Sequence, residues 1–215
     1  NGFEGAKRGK SAKKTKLSID QIRAIETLDL KKHSNLWHTR NYFMFSFYSG
    51  GIRFGDLCCL KWDNINGNRL KYRMNKNEKV FSVELNEHQL SILDQYRNQK
   101  ESKFIFPILN DHIDYSDPMV LRSQIGSKNA LINKWLKRII KAVNNELKDA
   151  ERLEKIDSVS FHVARHSFAQ YAVEQGLSIY ELMQALRHSK IETTQKYLKS
   201  LNEELADKAM RKVFS

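Results

Sequence analysis

The chain has 215 residues, 40% of them hydrophobic and 10% aromatic, which is enough apolar surface for one good-sized core. Its 37 Lys plus Arg against 25 Asp plus Glu leave a formal charge of +12, the sign and size expected of a protein that sits on polyphosphate. No run approaches the roughly eighteen apolar residues of a membrane span, and no apolar stretch follows the Lys-rich start, so neither a transmembrane helix nor a signal peptide is expected and the expected location is cytoplasmic.

Residues 1–16, "NGFEGAKRGKSAKKTK", carry six Lys or Arg and almost no apolar side chains, and read as a basic interdomain linker preceding a domain over 17–215. A chain opening inside a linker is expected of an excised domain, a natural basic tail being the alternative. Ser18 with Gln21 forms a capping box that opens a helix to about Leu30. "LWHTRNYFMFSFYSGG" is apolar almost all round, as a helix at the centre of a core would be, and Gly50 and Gly51 end it. A short helix, "FGDLCCLKW", follows. Its neighbouring Cys58 and Cys59 suit reduced core thiols and offer no metal-ligand spacing.

After Trp62 the period changes. "RLKYRMN" and "KVFSVEL" are rich in aromatic and β-branched residues and predict a β-hairpin with Lys76 at its tip. Asn86 and Gln89 cap the next helix. Residues 110–127 read as a loop, in which Asp111, Asp114 and Asp117 are solvated carboxylates rather than a cation site, because no Gly-turned calcium loop accompanies them. "NALINKWLKRIIKAVNNEL" places Leu131, Trp135, Ile139, Val143 and Leu147 on one stripe of an amphipathic core helix.

Three closely spaced helices fill the last third. Ser160 is expected to cap a helix from Phe161 to about Gln175, stopped by Gly176; Ser178 with Glu181 and Ser189 with Glu192 form two more capping boxes. In the first of these helices Phe161, Ala164, Phe168 and Ala172 can face the core. That leaves His162 and Arg165 together near a helix N-terminus, an environment that already favours anions. These cations either find separate carboxylates or converge on an anion from outside the chain.

Taken in order, "SGGIRFGDLCCLKW", the hairpin lysine, "HVARH" and "LRHSKIETTQKYLK" resemble the catalytic domain of the tyrosine recombinases, the phage-integrase family, from about Leu17 to the C-terminus. Gly51, Ile52, Arg53 and Asp56 match the first box. His162, Arg165 and His166 match the second, H/K-x-x-R-H. Leu186, His188, Ile191, Thr193, Thr194 and Tyr197 match the third. Each box is weak singly; their order and spacing are specific. The hairpin "YRMNKNEK" resembles those of integrases from bacterial integrative elements and phages. The resemblance implies an α+β, mainly α-helical fold with a small antiparallel β-hairpin or sheet at one edge.

It also implies the chemistry. Tyr197 is the expected nucleophile, leaving a 3′-phosphotyrosyl bond that conserves the energy of the broken one, so that no ATP is required. Phenol titrates near 10, so attack needs surrounding positive charge and a base. Arg53 and Arg165 are expected to make forked, charge-assisted hydrogen bonds to the phosphate. Lys76 is expected to protonate the departing 5′ oxygen, with Lys79 the alternative. His162 is assigned proton transfer and His188 a hydrogen bond to the phosphate; Asp56 and His166 are supporting residues. These cations supply what a divalent metal supplies in other nucleases, so no metal and no cofactor are expected.

Two departures stand out. Arg187 occupies a position where the family usually has glycine, with a side chain expected to touch DNA, and Ala164 one where leucine is common. The tail, residues 201–215, carries an apolar stripe at Leu205, Ala209 and Val213. It is expected either to pack into a neighbouring protomer or on its own domain. The expected partners are double-stranded DNA and further copies of the chain, a tetramer on DNA or a monomer for the domain alone, with no membrane and no small-molecule substrate. The family's separate N-terminal clamping domain is not among these residues, so weak binding by this piece alone is expected. Two other readings stay open: a type IB topoisomerase, which uses the same chemistry to relax supercoils, and a regulator using Ser178–Arg187 as part of a helix-turn-helix.

Overall fold

The computed structural model describes residues 16–75, 78–98, 102–148 and 154–198. The expected linker, apart from Lys16, and the tail at 201–215 lie outside them. The helices are α1 (Ile19–Thr27), α2 (Asn35–Tyr48), α3 (Phe54–Cys58), α4 (Glu87–Asp94), α5 (Pro118–Lys148), α6 (Val163–Glu174), α7 (Ile179–Leu186) and α8 (Ile191–Leu198). A 3₁₀ turn at Trp62–Asn64 leads into an antiparallel sheet of β1 (Ile65–Asn66), β2 (Arg69–Arg73) and β3 (Val80–Glu84) in that order.

Helix α2 is the hub, as its all-round apolar sequence requires. Phe43 and Phe45 are fully buried, and α4, α5 and α6 all pack on it. Ser18, Asn86 and Ser178 form complete capping boxes with Gln21, Gln89 and Glu181, so three helix starts lie where the sequence puts them. Cys58 is buried and Cys59 half-buried, both as free thiols. No helix among the described residues is long and apolar enough to cross a membrane.

Four local expectations are corrected. Helix α1 stops at Thr27, short of Leu30. Residues 118–127 are helical rather than loop, because Pro118 suits the first turn of a helix and the Asp117 carboxylate accepts from the Met119 N–H at 2.7 Å. Along α5 the buried line is Ile132, Leu136, Ile139, Ile140 and Val143, whereas Leu131 is 42% exposed. A strict i+4 row drifts by about 40° per step on a helix of 3.6 residues per turn, so Leu131 and Val143 cannot share one narrow face. Helix α6 begins at Val163, with His162 at its N-cap in helical backbone geometry and no side-chain cap; Ser160 contributes its carbonyl to the Val163 N–H instead of its hydroxyl.

The acidic loop needs no cation to explain it. Asp111 accepts from the Lys103 N–H, Asp114 from the N–H and hydroxyl of Ser116, and Asp117 caps α5. Two asparagines of α5 fix the approach to α6: Asn144 exchanges two hydrogen bonds with the Ile156 backbone, and Asn133 Oδ1 accepts from the Phe161 N–H at 2.7 Å.

The turn after α2 is the tightest junction. Gly50 and Gly51 have φ of 68° and 69°, the left-handed region that favours glycine. A Cβ on Gly51 would lie 2.6 Å from Cα, Cβ and Cγ of Arg165, so α6 lies directly against this backbone. Gly51→Ala is therefore expected to cost on the order of 3 kcal/mol from combined backbone strain and overpacking. In urea denaturation this appears as a lower midpoint with an unchanged slope; an unaltered midpoint would contradict the packing at this turn.

Candidate active site

The centre of the site is an arginine held inside the protein. Arg165, in the first turn of α6, is only 2% exposed. Its Nη1 donates to the Gly51 carbonyl at 2.7 Å and its Nη2 to the Leu186 carbonyl, so one guanidinium joins the end of α2 to the end of α7. Nη2 also lies 3.1 Å from Nε2 of His188. Because a guanidinium has no acceptor, Nε2 must be the unprotonated ring nitrogen, and Nδ1–H then donates to Thr194 Oγ1 at 2.9 Å. Thr194 is fully buried on α8 and orients the ring. The His188 ring is thus turned toward Arg165 and held from behind by Thr194.

Arg53 is the N-cap residue of α3, half-buried, with Nη1 3.9 Å from Met74 Sδ at the end of β2. One turn on, Asp56 is 4% exposed, and its Oδ1 accepts from the Asn75 N–H at 2.8 Å. Burial raises the Asp56 carboxyl pKa, while the Asn75 N–H and the charges of Arg53, Arg187 and Arg165 pull it back down. Asp56, expected as a supporting residue, holds the backbone at the start of the hairpin turn, within the field of three arginines.

Arg187 is the left-handed C-cap of α7, with φ 58° and ψ 38°, and its side chain lies between the sheet and the end of α2. The guanidinium stacks over Phe81 of β3, 3.4 Å from Cζ to the ring centroid, and Nη2 donates to the Ser49 carbonyl. Burial pushes its pKa down to about 10. Tyr72, paired with Phe81 across β2 and β3, is pushed up to about 12 by burial. Asp56 Oδ2, Tyr72 Oη and Arg187 Nε are buried with no hydrogen-bond partner in the described chain.

The remaining expected residues are less closely tied. His162 is exposed and His166 half-buried, and their rings meet edge to face with centroids 4.7 Å apart. The expected pairing of His162 with Arg165 on one side face is altered, since Arg165 turns into the core. Lys76 lies outside the described residues. Lys79 is described, its carbonyl accepting from the Met74 N–H at 3.0 Å beside the turn. Tyr197 falls on α8, its side chain outside the described structure. Among the described residues no group of three or more His, Cys, Asp or Glu gathers as a metal site would require.

Nothing in the sequence marks Gly50, Asn75 or Phe81 as site residues, and Gly51 enters only as a position of the first box. The paired glycines beside Ile52 and Arg53 carried a usable signal, since consecutive glycines allow close backbone approach as well as helix termination. Thr194 was noted only as a motif position. Nothing in the sequence directed Arg187 inward.

A family model described as the phage integrase family matches residues 16–204. A tyrosine recombinase of Thermosipho africanus is 27% identical over 165 residues, which is 74% of this chain and 49% of the relative. The chain spans about half the length of the curated relatives it matches. In fold it is similar to the Tn1549 transposon integrase solved with transposon right end DNA, at a TM-score of 0.64 and 14% identity, covering 98% of this chain and 69% of that one. It is also similar to a lambda integrase tetramer bound to a Holliday junction, at 0.61 and 16% identity, covering 90% and 50%.

Thr194→Val removes the acceptor that sets the His188 tautomer while keeping the shape of the side chain. The expected outcome is a loss of about 1–2 kcal/mol in stability from the buried hydrogen bond, with a change in the His188 ring ¹⁵N shifts away from the Nδ1–H pattern. Unchanged ring shifts would remove Thr194 from the site.

Proposed function

The chain belongs to the phage integrase family, and from that premise we propose that it is the catalytic part of a site-specific DNA recombinase that cuts and rejoins DNA to integrate or excise a mobile element. Tyr197 Oη attacks the scissile phosphorus, the bond to the 5′ oxygen breaks, and a 3′-phosphotyrosyl linkage forms. Attack by the 5′ hydroxyl of another strand reverses the step and restores the phenol, so bond number is conserved and no external energy source enters.

The observation that carries this reading is the contact between Arg165 and His188, groups 23 residues apart that meet beside the Arg53 turn. A phosphate oxygen accepts from both, from the Arg165 guanidinium and from His188 Nε2 once that nitrogen has taken a proton from solvent. Arg53 supplies the other guanidinium, at the half-buried mouth of the site. Developing negative charge on the nonbridging oxygens meets fixed donors, and losing one such donor typically costs about 10²–10³ in rate. His162, exposed at the N-cap of α6, takes part in proton transfer, with His166 against its ring as support. Lys76, or Lys79 in its place, protonates the leaving 5′ oxygen. Asp56 supports that step by holding the Asn75 N–H at the base of the turn.

Double-stranded DNA is the proposed partner, engaged by a chain of net charge +12, with self-association on the DNA and the tail at 201–215 as its connecting segment. The cytoplasm is the proposed location.

A nicked suicide substrate tests the reading in metal-free, ATP-free buffer. The wild type is expected to give a slower-migrating covalent protein–DNA species and Tyr197→Phe none. Absence of the species with the wild type is the result expected of a regulator, while plasmid relaxation without exchange between two sites is that of a topoisomerase. Binding is expected to weaken steeply with salt, log K falling by about 0.9 per phosphate neutralised for each tenfold rise in salt. A salt-insensitive complex would contradict the proposed role of the charge.

A further inference from the structure

We propose that Arg187 is a positioning residue that clamps the β2–β3 hairpin to the corner formed by Arg165 and His188, and so sets where the hairpin's lysine meets the leaving oxygen. The inference rests on the recombinase reading above.

The backbone is the first indication. Arg187 sits at φ 58°, where an L-residue other than glycine is strained and glycine, the usual residue of the resembled family here, is not. Its guanidinium is also taken largely out of water, which is unfavourable for a cation. A side chain kept under both conditions is compensated by what it touches, and each contact joins separate parts of the site. Nη2 reaches the Ser49 carbonyl at the end of α2, next to Gly50 and Gly51. The planar face lies on Phe81, a cation–π contact on β3. The backbone of Arg187 closes α7, and His188 follows immediately, its N–H bonded to the Met183 carbonyl at 3.0 Å.

Phe81 is close to the hairpin's working end. It pairs with Tyr72; the next pair is Arg73 with Val80, and beyond it the Met74 N–H donates to the Lys79 carbonyl. Asp56 grips the same end through the Asn75 N–H. Besides the burial of Leu70, Tyr72 and Met74 in the main core, the turn end of the hairpin is thus held by two polar contacts, a carboxylate on the Asn75 N–H and a guanidinium on the Phe81 ring. Directional contacts of this kind set the angle at which the strands enter the turn, and with it the reach of the lysine the turn carries. The same guanidinium is one residue from the imidazole assigned to the phosphate, so hairpin and phosphate site move as a unit.

A positioning role differs from a structural one in which chemical step it affects. If Arg187 acts through the hairpin lysine, its loss slows only a reaction that needs the leaving group protonated. Replacing the scissile 5′ oxygen by sulfur removes that need, because a thiol, with a pKa of roughly 8.5 against the far higher value of an alcohol, leaves as the thiolate.

The experiment compares single-turnover adduct formation by the wild type, Arg187→Gly and Phe81→Leu on matched suicide substrates with a 5′-oxygen or a 5′-sulfur leaving group. Glycine relieves the backbone, so Arg187→Gly is expected to stay folded, and Phe81→Leu removes the stacking face while leaving Arg187 in place. Both variants are expected to lose about 10²-fold on the oxygen substrate, the scale of a misplaced general acid, and to react at the wild-type rate on the sulfur substrate. Equal losses on both substrates, or no loss on oxygen, would overturn the clamp. A wild type that forms no adduct with either substrate would instead overturn the recombinase reading beneath it.

Discussion

The structure depends on a charged guanidinium placed where water does not reach. Arg165 is held by backbone carbonyls of Gly51 and Leu186 and by the ring of His188. Each of these three groups takes a hydrogen bond from it without contributing a formal negative charge. Asp56, which interacts electrostatically with Arg165, does so also with Arg53 and Arg187 and accepts from the Asn75 amide. The outcome is a preorganised positive centre in a region of low dielectric, where an incoming anion is attracted more strongly than at a hydrated surface.

Placing that guanidinium imposes conditions on the rest of the chain. Helix α6 must approach the end of α2 so closely that residue 51 has no room for a Cβ, and the turn there must run through two left-handed residues. The segment before α6 must arrive at a defined height, which Asn133 and Asn144 of α5 set by bonding its backbone. Helix α7 must end so that the Leu186 carbonyl points at Arg165 and His188 follows at once. The small cluster of Ala169, Ala172, Leu182 and Leu186 holds α6 and α7 in that relation.

The sheet is small and would be marginal alone, as a few short strands generally are. It is secured to the helical body by burial of Leu70, Tyr72, Met74 and Leu85 in the main core, and its turn end is further tied down by Asp56 at the Asn75 amide and by Arg187 on Phe81. Polar anchors suit a hairpin that must be placed accurately beside a charged group, because hydrogen bonds and a stacked guanidinium specify direction, which apolar packing does not.

Much of this was legible in the residues themselves. Three capping boxes, the all-round apolar α2, the hairpin and the ordered boxes around Arg53, Arg165 and His188 are local patterns, and local patterns follow from side-chain chemistry at fixed spacing. Element boundaries were less legible where two signals competed: Pro118 begins a helix as readily as it interrupts one, and Ser160 looked like a side-chain cap where only its carbonyl serves. The direction of Arg187 was not legible at all. A cation on the surface and a cation stacked on a distant phenylalanine share one sequence, and the difference is a contact between residues 81 and 187. The sequence by itself determined which groups this protein possesses and the order in which they come. Only the tertiary structure decided which of them touch, because Gly51, Phe81, Arg165, Arg187, His188 and Thr194 are brought together by helix packing and a turn without room for a side chain, and neither is encoded at any single position.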